Sequence, residues 1–284
     1  MENNITSKKI NWFPGHMTKA LREMEEESKN VDMFIYVLDA RAPKSCVNPE
    51  FVKFVGVKPI LYVLNKADMV EEKSLKPFIK MFKSVSSEVI LLDSTKSGAI
   101  KQIEPIMTKL CKTKLEKFKQ KGFKINLRAM VLGVPNSGKS TLINNLCGLK
   151  KATTGNIAGV TRGKQWVSLK NGFEVLDTPG TLYPNITNQQ TALNLAFIGS
   201  IKNEVVDINE LAIDFLNFCR KRYFENLKIK YNILDNQMTA IRMLEHIAKQ
   251  KNYLLKGGEP DYDRTCIAII DDFRKGKLGK IILD

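Results

Sequence analysis

Residues 133–140 read Gly-Val-Pro-Asn-Ser-Gly-Lys-Ser, a GxxxxGKS loop set between the β-branched run AMVLGV (129–134) and the helix-like segment TLINNL (141–146). A strand that runs into a glycine-rich turn and then opens a helix is the context in which this pattern binds phosphate. Gly133 and Gly138 let the loop curl. Backbone N–H groups from Asn136 through Ser137, Gly138, Lys139, Ser140 and Thr141 then face an anion at a helix N-terminus; Lys139 reaches the β and γ oxygens, and Ser140 reaches Mg²⁺.

Two further elements lie on either side. Downstream, Asp177-Thr-Pro-Gly180 ends the run FEVLD (173–177). Its carboxylate is placed to hold a Mg²⁺-bound water, and the Gly180 N–H to meet a γ-phosphate. Gly159-Val160-Thr161 lies where a switch threonine would close over the same ion; an ordinary loop threonine is the alternative. Upstream, Asn65-Lys66-Ala67-Asp68 follows the run PILYVLN and matches NKxD. A carboxylate at Asp68 accepts from guanine N1–H and N2–H₂, a donor pair adenine lacks, so the chemistry selects GTP and GDP. Ser94 and Thr95, after EVILLD, are a weaker candidate for a loop flanking the base.

The runs MFIYVLD (33–39), PILYVLN, EVILLD and AMVLGV alternate with polar helical stretches, the pattern of a mainly parallel, helix-covered sheet. QWVSL (165–169) and FEVLD, separated by Lys170-Asn171-Gly172, predict a hairpin. After about residue 186 the period turns helical, in LAIDFLNFCRKRYF, MTAIRMLEHIAK and TCIAIIDDFRKG. The expected fold is therefore α/β: a P-loop domain over 1–186 followed by a smaller all-α domain over 187–284.

Composition bounds the setting. The formal charge is +15, which suits a polyanionic partner. Residues 101–128 alone carry nine basic and two acidic side chains in a segment that reads as a charged helix broken at Gly122; a solvated linker is the bland alternative. In the second domain Arg220, Lys221, Arg222, Lys228 and Lys230, and Arg274, Lys275, Lys277 and Lys280, form two basic clusters suited to rRNA backbone contact, and their aromatic neighbours Tyr223, Phe224 and Phe273 are more often core. The five cysteines are scattered without CxxC spacing and read as small apolar residues. No long apolar run or secretory leader appears, so a cytoplasmic protein with no membrane contact is expected.

The motif order is unusual: guanine-reading elements come first, then phosphate and switch elements, whereas an ordinary small GTPase runs the other way. With Trp12-Phe13-Pro14-Gly15-His16-Met17, Asp39-Ala40-Arg41 and Asp261-Tyr262-Asp263-Arg264, the chain resembles the circularly permuted ribosome-assembly GTPases over nearly its whole length, most closely their bacterial branch. The resemblance implies a permuted GTPase domain, a helical domain contacting rRNA, Mg²⁺ as cofactor, and a late precursor of the large (50S) ribosomal subunit as partner; a monomer is expected. It also points to His16. Thr181 occupies the place where many GTPases carry a water-orienting glutamine, and His16 is the implied substitute, a local packing role being its alternative. Asn136 matches the asparagine by which related potassium-stimulated GTPases hold K⁺; shaping the turn is its other reading. Ser137 and Ala158 depart from the family's common residues without removing a ligand. A GTP-regulated rRNA scaffold with negligible turnover is the second functional reading. A P-loop ATPase or small-molecule kinase is a third, disfavoured by Asp68 and the motif order.

Overall fold

The computed structural model describes residues 15–122, 125–148, 165–169, 172–184 and 186–284. They fall into two compact units: a sheet unit from 15 to 184 joined by 282–284, and a helical unit over 186–281.

The sheet unit contains β1 (Met33–Asp39), β2 (Ile60–Asn65), β3 (Ser87–Leu92), β4 (Leu127–Leu132), β5 (Gln165–Ser168) and β6 (Phe173–Asp177), ordered β3-β2-β1-β4-β6-β5. All neighbours are parallel except β5 and β6, which pair antiparallel, Trp166 opposite Leu176. Every residue of β1 is buried, as expected for a strand covered on both faces. Met33, Ile35 and Val37 share a core with Ile103 and Met107 of α4 (Ala99–Leu110, set below) and Leu142 and Leu146 of the helix after the phosphate loop. The alternate residue Tyr36 turns to the opposite face, its ring centroid 5.4 Å from that of Phe51.

Among the described residues six α-helices accompany this sheet: α1 (Gly15–Ser28), α2 (Pro49–Val55), α3 (Glu72–Phe82), α4, α5 (Lys112–Gln120) and α6 (Lys139–Cys147). The basic segment expected as one helix is two, divided at Cys111, and it ends at Gly122 with φ 73°. Residues 282–284 group with the sheet unit because the Leu283 N–H donates to the Arg41 carbonyl (2.7 Å) and the Asp284 carboxylate accepts from the Lys44 N–H (2.6 Å) and Ser45 N–H (3.0 Å).

The described part of the helical unit holds α7 (Gln189–Phe197), α8 (Ile208–Arg222), α9 (Phe224–Tyr231), α10 (Ala240–Gln250) and α11 (Tyr262–Arg274). The run LAIDFLNFCRKRYF is not one helix: Tyr223, at φ −137° and ψ 39°, separates α8 from α9. Side-chain oxygens of Asp207, Thr239 and Asp261 cap α8, α10 and α11, satisfying N–H groups the helices leave unpaired. Phe215 packs against Phe197 and Phe273, with centroids at 5.2 and 4.8 Å. Phe273 is thus core. Arg274 is also structural: its guanidinium donates to the Ala196 (2.7 Å) and Phe197 (3.0 Å) carbonyls at the end of α7 and to Asn203 Oδ1 (3.1 Å). Four cysteines are buried and Cys147 half-buried, all as free thiols. No helix among the described residues is long and apolar enough to cross a membrane.

Arg274→Ala strips the last turn of α7 of a charged donor, and bonds to charged groups are worth about 1.5–3 kcal/mol. Denaturant unfolding should show a loss of roughly 2–3 kcal/mol; an unchanged midpoint would contradict the capping role.

Candidate nucleotide site

Parallel pairing of β1 with both β2 and β4 brings the loops after residues 39, 65 and 132 to one edge of the sheet. There the phosphate loop closes tightly. A Cβ on Gly133 would collide with the Val37 carbonyl oxygen, and φ at Gly133 is 152°. A Cβ on Gly180 would stand 2.7 Å from Pro135 Cα and 2.9 Å from Lys139 Nζ, so the DxxG glycine is pressed against the phosphate loop and its lysine. Lys139 Nζ donates to the Gly133 and Val134 carbonyls, each at 3.0 Å. Burial pulls its pKa down to about 8, against the opposing pull of Asp177. Burial pushes the Asp177 carboxyl up, with Lys139 and Ser140 working the other way.

The NKxD residues split their tasks. Asn65 is buried and bonds entirely to protein: Nδ2 donates to the Ser137 carbonyl (2.8 Å), and Oδ1 accepts from the Ser94 N–H (3.0 Å) and hydroxyl (2.7 Å). Lys66, in the left-handed region at φ 59°, donates to the Asn136 carbonyl and to Asp39 Oδ2, both at 2.8 Å. Asp68 is exposed in the turn Ala67–Met69 and free to face a base. Ser94 is buried; Thr95 is exposed, its hydroxyl on Asp93 Oδ1 at 2.6 Å. Asn136 is left-handed at φ 60°, a conformation asparagine tolerates better than most residues. Thr181 is fully buried, and among the described residues its hydroxyl has no hydrogen-bond partner. Thr161 and the side chain of His16 lie outside the described residues.

Two groups escaped sequence reasoning about the site. Asp39 is buried and accepts from Arg41 Nε (2.9 Å) and Nη2 (2.7 Å) as well as from Lys66. Burial pushes its pKa up, but Arg41 and Lys66 outweigh that and hold the carboxyl well below its usual range. The signal was there: a carboxylate ending an otherwise apolar buried strand needs a cationic partner. Asn145 on α6 is the second. Its amide accepts from the Ala99 N–H (3.1 Å) and donates to the Ser94 carbonyl (3.0 Å), fixing the Ser94 loop to the phosphate-loop helix; no local pattern announces it.

The residues also fit a hard cation. Asp177 Oδ2 lies 3.4 Å from Ser140 Oγ, while Asp177 Oδ1 is buried without a hydrogen-bond partner among the described residues. An unspent carboxylate oxygen beside a hydroxyl is the oxygen-only donor set Mg²⁺ prefers. The arrangement can therefore cradle a polyphosphate, neutralise it, and offer a carboxylate to guanine.

A family model described as "50S ribosome-binding GTPase" matches residues 128–254. Ribosome biogenesis GTPase A of Bacillus cereus is 38% identical over 276 residues, covering 97% of this chain and 93% of that protein. This chain belongs to the ribosome biogenesis GTPase A family. Its Thermotoga maritima relative is 32% identical, covering 96% of this chain and 93% of that one. The GNP-bound crystal structure of YlqF from T. maritima superposes with a TM-score of 0.63 at 29% identity, covering 94% of this chain and 97% of that one. The chain is also similar to Mitochondrial ribosome-associated GTPase 1 of Xenopus tropicalis, 32% identical over 96% of this chain and 94% of that one. As a member of the ribosome biogenesis GTPase A family, the chain is a GTP hydrolase that binds GTP and GDP, built on a mostly parallel P-loop sheet.

With its pKa near 8, Lys139 is part-neutral in slightly alkaline solution, and a phosphate arriving beside it raises that pKa again. Binding of GDP at about pH 8.5 should therefore take up protons. Calorimetry in two buffers of different ionisation enthalpy reads this; equal binding heats would contradict it.

Proposed function

We propose that this chain is an assembly GTPase that binds a late precursor of the large ribosomal subunit through rRNA, hydrolyses GTP faster when so bound, and is released by hydrolysis. The observation that carries the reading is the convergence at one sheet edge of Asp68, the phosphate loop with Lys139 and Ser140, and Asp177 with Gly180. The printed names of the relatives supply the ribosome, and the charge of +15 is of the sign that rRNA requires.

Each residue has a part. Asp68 reads guanine, with Ser94 and Thr95 beside the base. Asn65 and Lys66 hold the phosphate loop at Ser137 and Asn136. Gly138 through Thr141 supply N–H groups, and Lys139 neutralises the β and γ oxygens. Mg²⁺ would be held by the Ser140 hydroxyl, by Asp177 through water, and by Thr161; it supplies charge neutralisation between the phosphates. Asn136 would place K⁺ beside them. His16 orients the attacking water, since Thr181 is buried and offers no carboxamide. The helical unit begins at Ile186, soon after the DxxG glycine Gly180, so a rearrangement that follows the γ-phosphate has a short covalent path into it, and RNA affinity becomes nucleotide-dependent. The setting is the cytoplasm, and the working form a monomer.

GTP turnover with and without purified large subunits and their precursors, in potassium and sodium buffers, tests this directly. Stimulation of at least tenfold should appear, and His16→Ala should lower the stimulated rate by about 10²-fold while nucleotide and subunit binding persist. No stimulation by any large-subunit species would leave the rRNA scaffold as the better reading.

A further inference from the structure

Helix α5 breaks the rules that explain the other helices of the sheet unit. None of its side chains is buried; Leu115 and Phe118 are only half-covered. A nine-residue helix that is polar nearly all round is held to the core only by half-covered Leu115 and by buried Cys111 just before it, and its own propensity is weak at that length. Its charges add to the difficulty. The first turn contains no acidic residue and carries Lys112 and Lys114, where a cation opposes the helix dipole. Lys117 and Lys119 in the last turn, with Lys121 after it, suit that dipole, but the first-turn lysines do not.

Local pairing absorbs little of this charge. Lys114 pairs with Asp32, and Lys112 stands 3.8 Å from Glu116 with both side chains exposed, a geometry worth little. Among the described residues Lys117, Lys119 and Lys121 have no carboxylate partner. A concentration of positive charge kept against helix stability is a cost with little local compensation.

The position matters as well. Asp32 and the Arg128 backbone exchange two hydrogen bonds at the starts of β1 and β4: the Asp32 N–H donates to the Arg128 carbonyl (2.7 Å), and the Asp32 carboxylate Oδ2 accepts from the Arg128 N–H (2.8 Å). Through Lys114, α5 is therefore fixed to the N-terminal ends of the central strands. The nucleotide loops follow the C-terminal ends. At about 3.3 Å per residue, β1 separates the two by roughly 20 Å.

We propose that the exposed lysines of α5 dock the phosphate backbone of double-helical RNA, as an anchor whose strength does not depend on the bound nucleotide. This rests on the reading of the chain as a ribosome-assembly GTPase, and adds to it a contact on the sheet unit. Phosphate contact positions RNA without reading sequence. It also adds affinity through counterion release, so each contact contributes to the salt dependence. The switch residues, at the other end of the strands, alter neither the lysines nor their spacing.

The test uses the full chain and a 20-base-pair RNA duplex of arbitrary sequence (length of order two helical turns, enough for several phosphate contacts), followed by fluorescence anisotropy across a salt series. Lys112→Gln, Lys117→Gln and Lys119→Gln are combined in one variant; Lys73→Gln, Lys76→Gln and Lys80→Gln on exposed positions of α3 make a charge-matched control. The α5 variant should bind about tenfold more weakly at roughly 0.1 M salt, with a log–log slope shallower by about 2. The ratio to wild type should be the same with GDP and with a non-hydrolysable GTP analogue, and intrinsic GTPase rate unchanged. Equal losses in both variants would overturn the proposal, as would a loss seen with only one nucleotide. Loss of poly-glutamate binding with duplex binding retained would assign the face to an acidic protein instead. Wild-type protein that ignores the duplex would also overturn it, while subunit-stimulated turnover would still judge the functional reading on its own.

Discussion

Two side chains from the end of β2 hold the phosphate loop by its backbone, and the site depends on them. Asn65 donates to the Ser137 carbonyl and Lys66 to the Asn136 carbonyl. These carbonyls lie in a loop that curls away from regular pairing, so buried without partners they would cost about 1–3 kcal/mol each. The same Asn65 amide accepts twice from Ser94, so one residue sets the distance between the base-flanking loop and the phosphate loop. Lys66 in turn is aimed by Asp39, and Asp39 is kept ionised by Arg41. The chain of contacts runs from a buried ion pair to the loop that must meet a polyphosphate. A preorganised cradle of this kind spends little on reordering when the ligand arrives.

This linkage explains why permutation does no harm. Residues 65 and 137 are far apart in sequence, but β1 pairs in parallel with β2 on one side and β4 on the other. Strand neighbours and direction decide which loops share an edge; chain order does not. Moving the guanine-reading strands to the front leaves each hydrogen-bonded pair intact and moves only the connections. One connection gains a meaning, since Gly180 now leads toward the helical unit.

Much of this was legible in the sequence because it is local. The GKS loop, NKAD and DTPG each announce their chemistry by spacing, and continuous apolar runs such as MFIYVLD mark strands buried on both faces. What escaped reading depends on adjacency in space. Asn145 looks like any polar residue on a helix until the Ser94 loop is folded against it. Arg274 reads as part of a basic cluster, yet its guanidinium is spent on the carbonyls ending α7. The break at Tyr223 is invisible because α8 and α9 continue nearly the same apolar period on either side. Likewise the grouping of residues 282–284 with the sheet unit follows from hydrogen bonds to Arg41, Lys44 and Ser45, partners some 240 residues away in the chain.

The central claim is that a carboxylate read near the start of the chain and a phosphate loop read near its middle form one guanine-nucleotide site. Nucleotide competition on Asp68→Asn measures it. An amide can donate to the second carbonyl of xanthine but cannot accept both guanine donors, so GTP binding should fall by about 10²-fold while XTP binding improves. Unchanged preference for GTP over XTP in this variant would contradict the account.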